Sequence, residues 1–127
     1  MSLLLGKVIY LILSGDTNIH SYVQDKIYPI FAPDETLNPF IVYNLKTNNV
    51  IYTKDGLVYD EVSLNINVVS DNYVESISIA QIVRNLLERK VFSHDGIDIY
   101  ECLVASTNED YGVDGYITTI EFAIKSK

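Results

Sequence analysis

Val58-Tyr59-Asp60-Glu61-Val62-Ser63-Leu64-Asn65-Ile66-Asn67-Val68-Val69-Ser70 sets Val58, Val62, Leu64, Ile66 and Val68 on one parity and Tyr59, Glu61, Ser63, Asn65 and Asn67 on the other. That alternation is a β-strand with one face on a core and one in water. Asp55-Gly56 stands just before it, the pair that best tolerates the positive φ of a two-residue hairpin turn. Counting outward with Lys54 facing Leu57 sets Tyr43 opposite Val68 and Leu45 opposite Ile66, so Ile41, Tyr43 and Leu45 join the buried face of the partner strand. A bulge or an earlier turn at Asn48-Asn49 is the main way this register could fail.

From Tyr43 to Lys54 at about 3.3 Å per residue is roughly 40 Å. A domain of this size has a diameter of roughly 36 Å. The hairpin is therefore expected to project. Its far part, residues 48–60, carries Val50, Ile51, Tyr52, Leu57 and Tyr59 around Asp55-Gly56, more apolar than a solvated tip requires. Exposed apolar area of this kind marks an interface.

On the N-terminal side, residues 3–13 place Leu4, Val8, Leu11 and Ile12 on one helical stripe, and Ser14-Gly15-Asp16 ends that helix. Asp16 or Thr17 then caps a short turn carrying Ile19, Tyr22 and Val23. All three prolines, Pro29, Pro33 and Pro39, fall in residues 27–39. Proline lacks the donor that a ladder needs, so this is an extended, edge-like connection. On the other side, residues 71–90 read as the longest helix. Asn72 and Glu75 form a capping box, Val74, Ile77, Ala80, Val83 and Leu87 a stripe, and Arg89 and Lys90 suit its C-terminal end. Residues 96–105 and the alternating run Tyr116, Thr118, Ile120, Phe122, Ile124 read as two more strands, joined by an acidic loop over residues 107–115. The expected class is α+β: an antiparallel sheet with a long projecting hairpin, flanked by an N-terminal helix and one long helix, in a single domain over residues 1–127.

Composition narrows the function classes. The 127 residues are 48% hydrophobic and 20% charged, ordinary globular usage. Nine basic against seventeen acidic residues give −8, a field that repels phosphates, which disfavours specific nucleic-acid binding and anionic membranes. Cys102 is the single cysteine, so neither an intrachain disulfide nor a thiolate zinc site is expected. The apolar residues 3–13 carry Lys7 in their middle and are shorter than the about 20 residues a bilayer span takes. A soluble chain made without export is the expectation.

Candidates for chemistry are sparse. His94-Asp95 imitates a base and its orienting carboxylate, but a hydrolase would need Glu109 or Asp110 within reach of His94; the plain reading is a helix-to-strand connection. His20 reads as a surface or half-buried side chain. Glu109, Asp110 and Asp114 lack the alternating acidic spacing of a calcium loop, and the six isolated glycines make no phosphate-binding loop. No catalytic, cofactor or metal residue is therefore assigned. Ten tyrosines and no tryptophan leave two readings open, ordinary strand tyrosines or an assembly surface that uses Tyr52, Tyr59, Tyr111 and Tyr116.

The order of elements and the proline segment resemble a known family. A helix ending in Leu13-Ser14-Gly15-Asp16, then Lys26-Ile27-Tyr28-Pro29, Ala32-Pro33 and Pro39-Phe40-Ile41-Val42-Tyr43, is similar to the bacteriophage tail-completion proteins, also called tail terminators or tail-to-head joining proteins. Val68-Val69-Ser70, Asp71 and the helix after them fit the same pattern. The likeness covers residues 3–90 and, weakly, the final strands. Phe40 departs from it, standing where tyrosine is often seen after the proline, and the hairpin tip and acidic loop are this chain's own. The resemblance implies a small non-enzymatic α+β virion subunit. It would assemble with itself as a ring, a hexamer by that likeness, on the head-proximal end of the tail tube. Its partners would then be the tail-tube protein and the head-completion or connector protein. Its places would be the virion tail and, during assembly, the bacterial host cytoplasm. The rival is a non-viral α+β module that holds a small ligand between sheet and helices.

Overall fold

The computed structural model describes residues 2–52, 54 and 58–127. A 3-10 turn, Ser2–Leu4, leads into α1 (Leu5–Ser14) and α2 (Thr17–Val23). Strands β1 (Ile27–Pro29), β2 (Phe40–Tyr52) and β3 (Val58–Ser70) precede α3 (Tyr73–Leu87), and β4 (Phe92–His94), β5 (Ile97–Gly112) and β6 (Gly115–Ser126) complete the chain. The strands form one sheet in the order β1-β2-β3-β6-β5-β4, antiparallel throughout except for β1 beside β2. The α+β class expected from the sequence is the one found.

One face of the sheet packs under α1 and α3. Val62, Leu64, Ile66 and Val68 of β3 meet Ile41 and Tyr43 of β2, Ile120, Phe122 and Ile124 of β6, and Leu5, Val8, Ile9, Ile79 and Val83 of the helices. Burying each of these side chains contributes about 1.5–3 kcal/mol, so this layer fixes the orientation of every strand. The opposite face carries a polar ladder: Asn48 Nδ2 donates to Ser63 Oγ (2.6 Å), Thr119 Oγ1 to Asn67 Oδ1 (2.7 Å) and Ser106 Oγ to Glu121 Oε2 (3.1 Å).

The hairpin partners and their facing parity are as expected, but the register is corrected. Tyr43 pairs with Ile66 and Leu45 with Leu64, two residues from the count made through Lys54 and Leu57. Two steps preserve the face, which is why the core residues were placed properly. A bulge between Thr47 and Asn49 absorbs one residue, and beyond it Ile51 pairs with Tyr59 and Tyr52 with Val58. The expected turn residues Asp55 and Gly56, with Leu57, lie outside the described residues.

Other corrections have local causes. The buried stripe of α1 is Leu5, Val8, Ile9 and Leu13; Leu4 lies in the 3-10 turn before the helix, and Leu4 and Leu11 are turned outward. In α3, Ser76 and Ile79 are buried while Val74 is exposed. Ser76 can face inward because its hydroxyl lies 2.6 Å from that of Thr118, which satisfies both. Asn72 caps α3 by accepting from the Glu75 N–H (3.1 Å), but the Glu75 carboxylate accepts from Ser70 Oγ (2.7 Å) instead of closing the box. Arg89 and Lys90 follow the end of α3, whose last turn carries Arg84 paired with Glu88 (2.7 Å). Asp16 caps α2 by accepting from the Ile19 N–H (2.9 Å), as expected.

The largest correction concerns residues 107–115. Residues 107–112 continue β5 and pair with β6 as far as Gly112 opposite Gly115. Gly115 sits at φ +126°, and a Cβ there would lie 2.6 Å from the Ser70 carbonyl oxygen, so only glycine fits this close approach. The proline segment forms β1 and then folds over the end of the polar face. There Asn38 Nδ2 donates to Asp71 Oδ1 (2.6 Å) and to the Asp114 carbonyl (2.7 Å), tying that segment to two turns.

Candidate functional site

The predicted assembly residues separate into two groups at opposite ends of the sheet. Val50, Ile51, Tyr52 and Tyr59 lie together near the hairpin tip. Tyr52 is 75% exposed and Val50 44%, while Ile51 and Tyr59 are half-buried against each other's strands. The Lys125 ammonium lies 5.9 Å from the centre of the Tyr59 ring, in cation–π range. Asp55, Gly56 and Leu57 of this group are outside the described residues.

Tyr111 belongs to the far end. Its ring stacks on Tyr116 (4.8 Å between centres, 24° between planes), and Tyr73 meets Tyr116 edge-on at 5.7 Å. Tyr73 Oη donates to Glu109 Oε2 at 2.8 Å, and that bond, then burial and the nearby charge, raise the Tyr73 phenol above its ordinary pKa. Between Tyr116 and Ser126, which mark the two ends along β6, the strand runs about 33 Å. The sequence reading named Tyr111 and Tyr116 for assembly, considered Glu109 only as a metal or acid–base candidate, and did not single out Tyr73. They join only through the pairing of β5 with β6 and the start of α3.

The family-pattern residues take a structural part. Ile27, Tyr28 and Pro29 pair with Ile41, Val42 and Tyr43 as a parallel edge. Ala32, Pro33, Phe40 and Val42 line a shallow depression of about 300 Å³ with Val69 and Asp114, while Pro39 carries the chain into β2. Ile30, Phe31 and Leu37 stand exposed beside it, a solvent-facing apolar group that the sequence reading also missed. Their flanking prolines were the available signal.

Residues considered for chemistry are dispersed. His94 Nε2 lies 3.4 Å from Asp95 Oδ2 on the exposed surface. His94 pairs with Ile97, and Glu109 lies twelve residues further along β5, about 40 Å by strand rise; the postulated cleft of His94 with Glu109 or Asp110 does not form. Among the described residues, no three His, Cys, Asp or Glu side chains gather at a metal-binding distance. Cys102 is buried, and burial, with the Glu88 charge second, pushes its thiol up to about 12. A depression of about 330 Å³ between α2 and α3, lined by Asp16, Asn18, Ile82, Asn85, Leu86 and Lys90, lies on the surface. No described helix is long and apolar enough to cross a membrane.

The polar face is the broadest functional candidate. Glu61, Glu101, Asp110 and Glu121 share it with Lys46 and Lys125, the Glu101–Lys125 pair standing 3.4 Å apart. The charge of this face is net acidic.

No family model and no curated protein matches the chain. Among solved structures it is similar to a chain of the "Virion of native gene transfer agent (GTA) particle", with a TM-score of 0.70 and 12% sequence identity, covering 93% of this chain and 89% of that one. At that identity the likeness is one of fold, over nearly the whole chain.

Proposed function

We propose that this chain is a structural subunit of a phage or phage-like particle. It closes the head-proximal end of the tail tube as a ring of identical copies and joins it to the head connector. One observation carries the reading: the proline-segment pattern of the tail-completion proteins sits on a fold shared, over nearly the whole chain, with a subunit of a virion-like particle. The work is done by surface shape, without a reacting group. Self-association, the tail-tube protein and the connector protein are its contacts, and the virion tail its destination. The net acidic polar face suits the wall of such a ring, since carboxylates leave DNA phosphates free to pass.

The test is to mix the purified chain with tail tubes from the same gene neighbourhood and view them by negative stain. Capped tubes at one end, and loss of capping without the chain, are expected. Tubes whose two ends stay equivalent at saturating protein would overturn the reading.

A further inference from the structure

The sheet ends in two edges that are each half covered, and the halves are opposite. On one side β1 is three residues long and reaches only to Tyr43, so residues 44–52 of β2 have no strand on their outer side among the described residues. On the other, β4 covers Ile97–Ile99, and the Arg89 N–H donates to the Cys102 carbonyl (2.7 Å), leaving residues 103–112 of β5 without an outer strand among the described residues. Unpaired edges of this length invite another strand. Each open half also carries one bulge, between Thr47 and Asn49 and between Val104 and Ser106, which restricts indiscriminate pairing.

Charge separates the two edges as well. Residues 36–54 contain Lys46 and Lys54 and no acid; residues 91–124 contain Glu109 and Asp110 and no Lys or Arg. We propose that the open half of β2 pairs antiparallel with the open half of β5 in the next copy, Lys46 lying beside Asp110. This deepens the ring reading above and rests on it. Both side chains belong to the polar face, since Lys46 pairs with Ser63 and Asp110 with Ile117, each out of step with the core residues. The contact joins two different patches, the heterologous kind that closes rings.

The stagger suits closure. Within one copy, Lys46 is level with Ser63, Ala123 and Leu103, whereas Asp110 is level with Ile117, six residues lower on β6. Joining them offsets successive copies by about 20 Å along the strands. Four strands separate one such contact from the next, about 19 Å across. Equal stagger and width tilt the strands by about 45°, the upper end of the range in closed barrels. The short β1 and β4 then lie beyond the ends of the contact instead of blocking it.

The experiment uses the full chain carrying Lys46→Cys with Asp110→Cys, treated with a short bismaleimide and run on a denaturing gel. The buried Cys102 does not compete. In parallel, the oligomer of the unmodified chain is measured by native mass spectrometry, free and on tail tubes. A ladder of linked copies that stops at the ring size, absent from either single variant, is expected. Lys46→Glu or Asp110→Lys alone should cut the assembled fraction several-fold, and the two together should restore it, with circular dichroism unchanged. Rings that form but neither link nor respond to the charge exchange would overturn the edge contact and leave the ring standing. Absence of any ring, free or on tubes, would overturn both.

Discussion

Replacing residues 51–59 by Asn-Gly removes the hairpin tip while keeping Val50 opposite Asp60, and Asp60 opposite Ser126. The stability change follows from what the tip buries. Tyr52 is exposed, and Ile51 and Tyr59 are half-buried. Full burial of such a side chain contributes about 1.5–3 kcal/mol, so these two together represent roughly 2–3 kcal/mol. Against this, the two-residue turn closes a shorter connection at lower entropic cost, which offsets part of that burial and of the lost ladder bonds. The expected net effect is within about 2 kcal/mol, in line with the marginal stability of an unsupported hairpin. Leu64→Ala is the reference: fully buried in β3, it should cost about 2–5 kcal/mol. Urea unfolding followed by circular dichroism compares the two, and tube capping supplies the second readout. A truncated chain as destabilised as Leu64→Ala would show that the tip belongs to the core. One that stays folded and still caps tubes would remove the tip from the assembly surface.

Three further outcomes follow from the packing. Cys102 has a folded pKa raised from 9.0 to about 12, so its contribution to stability is complete below pH 9 and is lost as pH rises from there through 12. Urea midpoints measured at pH 8, 9.5 and 11 should fall in that window, less steeply for Cys102→Ala, and an unchanged slope would contradict the assignment. Thr118→Val leaves the buried Ser76 hydroxyl without its partner and should cost about 1–3 kcal/mol; adding Ser76→Ala should recover most of it, and additive losses in the denaturation cycle would refute the pairing. Gly115→Ala places its Cβ against the Ser70 carbonyl and should cost more than about 2 kcal/mol, read as a lower melting temperature with loss of amide protection in β5 and β6.

The parts of the fold that were legible are those where burial writes a period into the sequence. Val62, Leu64, Ile66 and Val68 mark one face of β3 without reference to any other strand, and Asn72 marks the start of α3 by its own side chain. Residues 107–112 carry no such period, because this end of β5 buries little and its strand is set by pairing with β6. The register of β2 against β3 was misjudged for a related reason. One residue of the offset already exists at the tip end, where Tyr52 pairs with Val58, and the second is added by the bulge at Thr47/Asn49, among exposed polar residues whose pattern is the same with or without one.

The candidate site was illegible in a different way. A hydrophobic pattern reports which face of a strand is buried, but a free edge is a fact about neighbours, and here it arises from unequal lengths. Two strands of 13 and 16 residues, β2 and β5, stand beside outer strands of three. No residue in β2 or β5 encodes that inequality; the short outer strands do, through Pro29 at the end of β1 and the turn at Asp95-Gly96 after β4, where both residues have positive φ. What the edges do carry in sequence is sign: bases without acids on one, acids without bases on the other. For a chain with a net charge of −8, copies repel one another at long range, so an ordered contact needs such a local reversal of sign to hold them in register. The same repulsion makes assembly salt-dependent in a direction that discriminates. If general repulsion dominates, added salt favours association; if the Lys46–Asp110 pairing sets the contact, added salt weakens the wild-type ring more than one whose edges are joined covalently.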